Sequence, residues 1–308
     1  MTFEYIVLKL SLFSSPKFRS LRNLILLVLL SISVCLSAQH KVGVRAGTNY
    51  AKFSGPLEEA ESYSLSGGIH FGINYTYLLN DKFSIRAEIL YQQKGTKQNF
   101  FDDDVYTLIK PITAGVAEFV DYGTVERDLK ITNSYFSVPL TVQFQLSRKF
   151  EVFGGLSVDF LLGSNGRGAY DYESRDSPLE IAWNNQSLDF RYNSDVGGQY
   201  NSLAGTIAIL IDGEPVEIPK VIGAYYYYIN RAELESRFKS VDFTALGGVN
   251  YFINPGFYIG ARLEYGLTDL TRTDLDVSLR ELADDNSYIL RDDKDASLNL
   301  AISFGFRF

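Results

Sequence analysis

From residue 41 onward the chain alternates apolar and polar side chains with a period of two, in segments of about 10 residues set apart by turn-like residues. The last segment shows the rule most clearly. Leu298, Leu300, Ile302, Phe304, Phe306 and Phe308 fall on one side, and Asn299, Ala301, Ser303, Gly305 and Arg307 on the other. Successive side chains of a strand point to opposite faces, so one face is wholly apolar and the other small or polar. The same split predicts strands over 41–53, 65–77, 83–92, 136–146, 150–162, 241–251 and 257–267, which with 298–308 make eight. No stretch beyond residue 40 sustains a helical period.

Alternation alone also fits a soluble sandwich or a lipocalin-like barrel. The character of the two faces separates these. The apolar face is continuous and bulky, as lipid requires, whereas the polar face is rich in Gly and small residues that suit a crowded lumen. Asn80-Asp81-Lys82, Ser147-Arg148-Lys149 and Asn254-Pro255-Gly256 read as tight turns, and the other links, about 54–63, 99–129, 165–237 and 272–296, are long. Short periplasmic turns alternating with long extracellular loops mark membrane barrels. The predicted fold is therefore all-β, an eight-stranded antiparallel up-and-down transmembrane β-barrel. Both termini are expected in the periplasm, with the last strand closing on the first. The 165–237 loop is too long to be structureless. Its alternating stretches 203–211 and 221–229 predict hairpin extensions above the membrane, with a turn at Gly213 and Pro215.

The N-terminus adds a location. A basic stretch with Lys17, Arg19 and Arg22 precedes an apolar run of about 13 residues over 24–36, which ends in Leu36-Ser37-Ala38-Gln39. A membrane-spanning helix needs about 20 apolar residues, so residues 1–38 read as a signal peptide cleaved near Ala38, and 39–308 as the barrel domain. Cys35, the sole cysteine, leaves with that leader, so neither a disulfide nor a Cys metal site is expected. The 22 Phe and 21 Tyr, with 25 Gly and only 8 Pro, suit many long strands with aromatic girdles at the membrane interfaces. Net charge is −8 and no basic patch stands out, which argues against a nucleic-acid partner.

Candidate chemistry is sparse. His40 borders the cleavage site and is expected to be flexible, while His70 faces the lumen. Tight-turn register sets His70 opposite Gln92 and Glu88 opposite Asn74. No Ser-His-Asp spacing marks a catalytic set, so no catalytic residue is assigned. Arg86-Ala87-Glu88 and Arg262-Leu263-Glu264 repeat an Arg-x-Glu pattern facing inward. With Arg45, Asp159 and Asp242 they are expected to form a lumen charge network that plugs the barrel, because an eight-stranded barrel is only wide enough for side chains to fill. Acidic clusters at 102–104, 284–285 and 292–295 match no calcium-loop pattern and read as solvated loop charge, so no metal and no cofactor is expected.

Several of these segments resemble the PorT-like outer-membrane β-barrel proteins of Bacteroidetes. The resemblance rests on Lys41-Val42-Gly43-Val44-Arg45-Ala46-Gly47-Thr48-Asn49, on Arg86-x-Glu88-x-x-Tyr91, on Tyr135-Phe136-Ser137-Val138-Pro139-Leu140, and on the closing strand to Phe308. It implies a barrel in the outer membrane, in contact with its lipid. It also implies that the barrel assembly machinery reads Phe304, Phe306 and Phe308 as an assembly signal. One branch of that family is linked to protein secretion. The leading expectation is a non-enzymatic barrel serving surface interaction or envelope integrity through its loops, with a surface or periplasmic protein as partner. The alternatives are a transport or secretion component and an outer-membrane barrel enzyme.

Overall fold

The computed structural model describes residues 39–175, 181–193, 200–211, 213–226, 236–283 and 288–308. The predicted signal peptide and the acidic pair at 284–285 lie outside them. The strands are β1 (His40–Ser54), β2 (Glu61–Leu78), β3 (Phe83–Ile109), β4 (Phe119–Gln145), β5 (Phe150–Ser174), β6 (Ala182–Arg191), β7 (Thr206–Ile211), β8 (Glu214–Pro219), β9 (Val221–Ile222), β10 (Val241–Phe252), β11 (Phe257–Gly266), β12 (Val277–Leu282), β13 (Tyr288–Leu290) and β14 (Ala296–Arg307). Eight of them close a ring in the order β1-β2-β3-β4-β5-β10-β11-β14, and every pairing in it is antiparallel. The last strand meets the first over Gly43–Ser54 and Ala296–Arg307, so the barrel has no free edge there.

The three tight turns share one device. Asn80 Oδ1 accepts from the amides of Lys82 and Phe83, Ser147 Oγ from Lys149 and Phe150, and Asn254 Oδ1 from Gly256 and Phe257. In each the first residue supplies the oxygen that satisfies the turn amides, as Asn and Ser do by hydrogen-bonding two residues on. The predicted faces hold. Ile73, Ile89, Leu140, Leu156, Leu263 and Phe304 point outward, exposed, and Arg45, His70, Glu88, Ser137, Asp159 and Arg262 point inward, buried.

The strands run further than predicted. β3 and β4 have 27 residues each and β5 has 25, against about 9–11 needed to cross a bilayer. The span 99–129 is thus mainly wall rather than loop, and 165–174 is still β5. Along β4 the inward positions are Gln143, Thr141 and Ser137 at membrane level, then Tyr135 and Asn133, then Ile131, Leu129 and Val125. The outward ones run the opposite way, from Val142, Leu140 and Phe136 to Lys130, Asp128 and Glu126. β3 repeats this, with Arg86, Glu88 and Gln92 inside below, and Phe100, Val105 and Ile109 inside above. β5 changes parity at a register shift near Leu162, after which Ser164, Tyr170 and Tyr172 point inward.

The barrel therefore has two storeys. The upper one is walled by β3–β6 and packed with Phe100, Val125, Leu129, Trp183, Leu188 and Phe190. The β7–β8 hairpin contributes Ile209, Val216 and Ile218 to the same core. Its turn contains Gly213 at φ 80°, a left-handed conformation that glycine adopts freely. Gly213 lies in the turn as expected, whereas Pro215 is already in β8, opposite Leu210, and the partner of β7 is 214–219 and not 221–229. Among the described residues of that second stretch, Val221–Ile222 is a strand, parallel to β6, and Tyr225 and Tyr226 sit buried in the turn that follows. In the 272–296 link, β12 and β13 pair with each other.

Candidate functional site

Among the described residues, the membrane-level lumen encloses five ion-paired or buried cations, Arg45, Arg86, Lys94, Arg262 and Arg307, and five carboxylates, Glu88, Glu151, Asp159, Asp242 and Glu264, with Lys41 half-exposed at the periplasmic mouth. Glu88 is held by Arg45 and Arg262, each at 3.1 Å. Arg262 also reaches Glu264 at 2.7 Å, which Lys94 approaches at 3.2 Å while its ammonium lies 2.7 Å from Asp159. A second group near the periplasmic end joins Glu151 to Arg86 and Arg307, both at 3.1 Å. Asn299 and Asn250 donate to Glu264 and Glu151 at 2.9 and 2.8 Å. Asp242 faces Asp159 across β5 and β10 and makes no ion pair among the described residues. It accepts instead from the hydroxyls of Thr268 and Ser297. A buried carboxylate without a donor would cost several kcal/mol, on the order of 3–5, so these partners are what allow the charges to be buried.

The seven residues expected in the network all lie in it or beside it. Lys94, Glu151 and Arg307 were missed. Glu151 and Arg307 stand on the polar faces of their predicted strands, so register alone could have found them. Lys94 lies in the run Gln92-Gln93-Lys94-Gly95-Thr96-Lys97-Gln98-Asn99, where both faces are polar and alternation carries no signal.

His70 pairs with Gln92 and Asn74 with Glu88, the register expected from the turn. Asn49 Nδ2 donates to the carbonyl of Gln93 at 2.8 Å, which turns Oδ1 toward His70 Nδ1, also at 2.8 Å. An amide oxygen only accepts, so Nδ1 carries the proton and the neutral Nε2 accepts from Ser303 Oγ at 2.9 Å. Ser303, His70 and Asn49 thus have the connectivity of a nucleophile, base and orienting amide. They are 0%, 1% and 0% exposed, and the Arg45 guanidinium donates to the same serine oxygen. All three are sealed from solvent, and the serine oxygen is already engaged. Glycine makes room for the ring, since a Cβ on Gly47, opposite His70, would stand 2.8 Å from its Cε1. His40 is not a loose end. It opens β1, lies against Tyr75 and Tyr77, and bonds the Tyr75 hydroxyl.

Outside the membrane, Asp276, Asp293 and Asp295 place ligand oxygens within 4.8 Å of one another. Asp276 and Asp295 are buried, so the expectation of solvated charge fails for part of 292–295. Arg237 lies 2.6 Å from Asp276, and Arg291 binds both Asp293 and Glu61, drawing the link against β2. Burial, reinforced at Asp295 by Asp276 and Asp293, pushes the Asp293 and Asp295 carboxyls up to about 6. Asp102, from the first acidic cluster, is also buried, against Arg280. On the lipid face Phe304 stacks on Phe257 with ring centres 6.3 Å apart, and Phe306 meets Phe308 at 4.9 Å.

No curated protein matches the sequence. Among solved structures, the chain is similar to Ail, the attachment invasion locus protein of Yersinia pestis, at 12% identity and a TM-score of 0.33, covering 88% of this chain and 99% of that one. It is similar to Neisserial surface protein A at 12% and 0.32, covering 87% and 97%. OprG from Pseudomonas aeruginosa stands at 11% and 0.32, covering 88% and 96%. The closed ring of eight strands, with apolar side chains outside and paired charges inside, is the form of a protein embedded in the outer membrane, and the outer membrane protein beta-barrel domain matches residues 37–272. The chain belongs to that family.

Proposed function

We propose that this outer-membrane barrel is a non-conducting, non-enzymatic support for an extracellular binding head that engages a surface partner or reinforces the envelope. One observation carries the reading: the lumen is filled by paired charge at membrane level, while β3 to β6 continue into a packed upper storey. A filled lumen supports anchoring over transport. In planar bilayers the barrel is expected to be silent. Steady conductance altered by Glu88→Gln or Arg262→Gln would sink the reading. Pull-down of surface proteins, comparing the full chain with one whose 206–219 hairpin is replaced by a short Gly-Ser turn, tests the head directly.

The sealed Ser303–His70–Asn49 arrangement supports the non-enzymatic part. A serine-reactive fluorophosphonate should leave Ser303 unlabelled in the folded barrel. The PorT-like strand motifs favour a second reading, a secretion component of Bacteroidetes type, for which co-purification with secretion proteins is the test. Export through a leader ending near Ala38, and reading of Phe304, Phe306 and Phe308 by the assembly machinery, complete the proposal. Deleting Phe308 should lower the amount of barrel in the membrane before it touches any binding, and normal levels would count against that role.

A further inference from the structure

We propose that the outward face of β3, β4 and β5 just above the lipid band binds the phosphorylated sugar region of lipopolysaccharide through Lys97, Lys130 and Arg167. The register makes the case. Lys97 lies directly opposite Lys130, and Lys130 directly opposite Arg167, so three cations form one row across three neighbouring strands. Directly opposed residues have Cβ atoms about 4.5–5.5 Å apart, and like charges so placed destabilise a sheet. A chain of net charge −8 nonetheless gathers them here.

All three are exposed. Among the described residues, Lys97 and Lys130 have no carboxylate within ion-pair distance. Arg167 has only Asp189, at 3.8 Å, which Arg191 shares at 3.4 Å. Asp128 stands one row above, opposite Asn99 and Ala169, and makes no ion pair among the described residues. Glu126 and Asp171 face each other one row higher again, so at its own level the row sets three cations against the single carboxylate of Asp189, on a rigid wall. Lysine ammonium groups and an arginine fork are the donors that hold phosphate oxygens.

Height decides which phosphate. Outward side chains are apolar up to Tyr91 on β3 and Phe136 on β4, then come the uncharged pairs Gln93–Ser134 and Gly95–Thr132, and then Lys97–Lys130. Six residues span ~20 Å along a strand, or ~15 Å along the membrane normal at the usual tilt. The headgroup layer of a phospholipid leaflet is only about 5–7 Å deep. Phospholipid phosphates therefore lie too low, whereas a glycolipid with a phosphorylated oligosaccharide reaches the row.

The test measures binding of purified, folded barrel in micelles to three probes: lipopolysaccharide with its phosphorylated core, lipid A, and dextran sulfate. The core-bearing form is expected to bind best, and the triple variant K97Q/K130Q/R167Q to bind it about tenfold more weakly or worse, given the usual effect of each cation near an anionic surface. Lys82→Gln with Lys149→Gln, in the periplasmic turns, should bind like the parent. Heat-modifiable gel mobility confirms folding, and Lys130→Gln alone, which removes the middle of the row, serves if the triple variant does not fold. Unchanged binding by the folded variant would overturn the inference. So would lipid A binding as well as the core-bearing form, or dextran sulfate binding as well, which would point to a soluble polyanion. The inference uses only the outer-membrane placement, so its failure leaves the binding head standing, and a missing protein partner leaves the row standing.

Discussion

Below Asn133 and Tyr135 the barrel interior is mainly polar and charged, and above them it is mainly apolar, although β3, β4 and β5 run through both walls. The difference lies in what surrounds each storey. Where lipid touches the outside, the outward side chains must be apolar, and a narrow lumen is left to side chains that pair their own charges. Where water touches the outside, the ordinary hydrophobic effect returns and apolar side chains move in. The interior of each storey is set by its exterior.

The comparison breaks most readily at Glu88. Arg45 is buried and has its carboxylate partner in Glu88, which also serves Arg262. Glu88→Ala leaves uncompensated buried charge and should cost ~3–5 kcal/mol, read as loss of heat-modifiable mobility at lower urea. The single tryptophan, Trp183, is buried in the upper core and gives that storey its own signal. Leu129→Ala should cost ~2–5 kcal/mol locally. It should shift the Trp183 fluorescence transition and leave gel mobility nearly unchanged. If the two signals always move together, the storeys are one cooperative unit and the distinction falls.

A smaller effect probes how tightly the upper core is packed. A Cβ on Gly166 would sit 3.1 Å from each of Leu129 Cδ1, Phe190 Cβ and the Tyr192 hydroxyl. Three neighbours would have to yield together, so Gly166→Ala should cost about 1–3 kcal/mol through overpacking, again seen in Trp183 fluorescence. A neutral or stabilising result would mean that this core has slack.

The polarity inversion also explains what could be read from the sequence. The membrane-level strands, their turns and the pairing of His70 with Gln92 were legible because lipid and lumen impose opposite demands on alternate residues. Over 92–99 both faces are polar and the contrast vanishes, which is why alternation predicts a strand that stops at residue 92. The contrast returns at Phe100 with its sign reversed: Phe100, Val105 and Ile109 point inward, and Phe101 alone keeps the outward apolar phase before a register shift at 102–105. β5 hides its continuation differently, by the register shift near Leu162 that changes which parity points inward. The Arg237–Asp276 and Arg291–Glu61 pairs join segments far apart in the chain, and no local pattern announces them.

The last contrast is between balanced and unbalanced charge. The membrane-level lumen sets five cations against five carboxylates, whereas Asp276, Asp293 and Asp295 crowd together above it with Arg237 and Arg291 alongside. Asp293 and Asp295 are raised to about 6 in the folded chain, against about 3.9 for an ordinary aspartate. The folded form therefore holds its protons more tightly than the unfolded form. Linkage makes the stabilising contribution full below about pH 4, and it is lost as pH rises through about 6. Amides of the 288–296 segment, corrected for intrinsic exchange rates, should be better protected at pH 5 than at pH 7.5. Asp295→Asn should remove much of that dependence, because a neutral amide cannot repel Asp276 at any pH. Protection that grows with rising pH would show that Arg237 and Arg291 already neutralise the cluster, and the charge balance of the lower storey would then extend to the upper one.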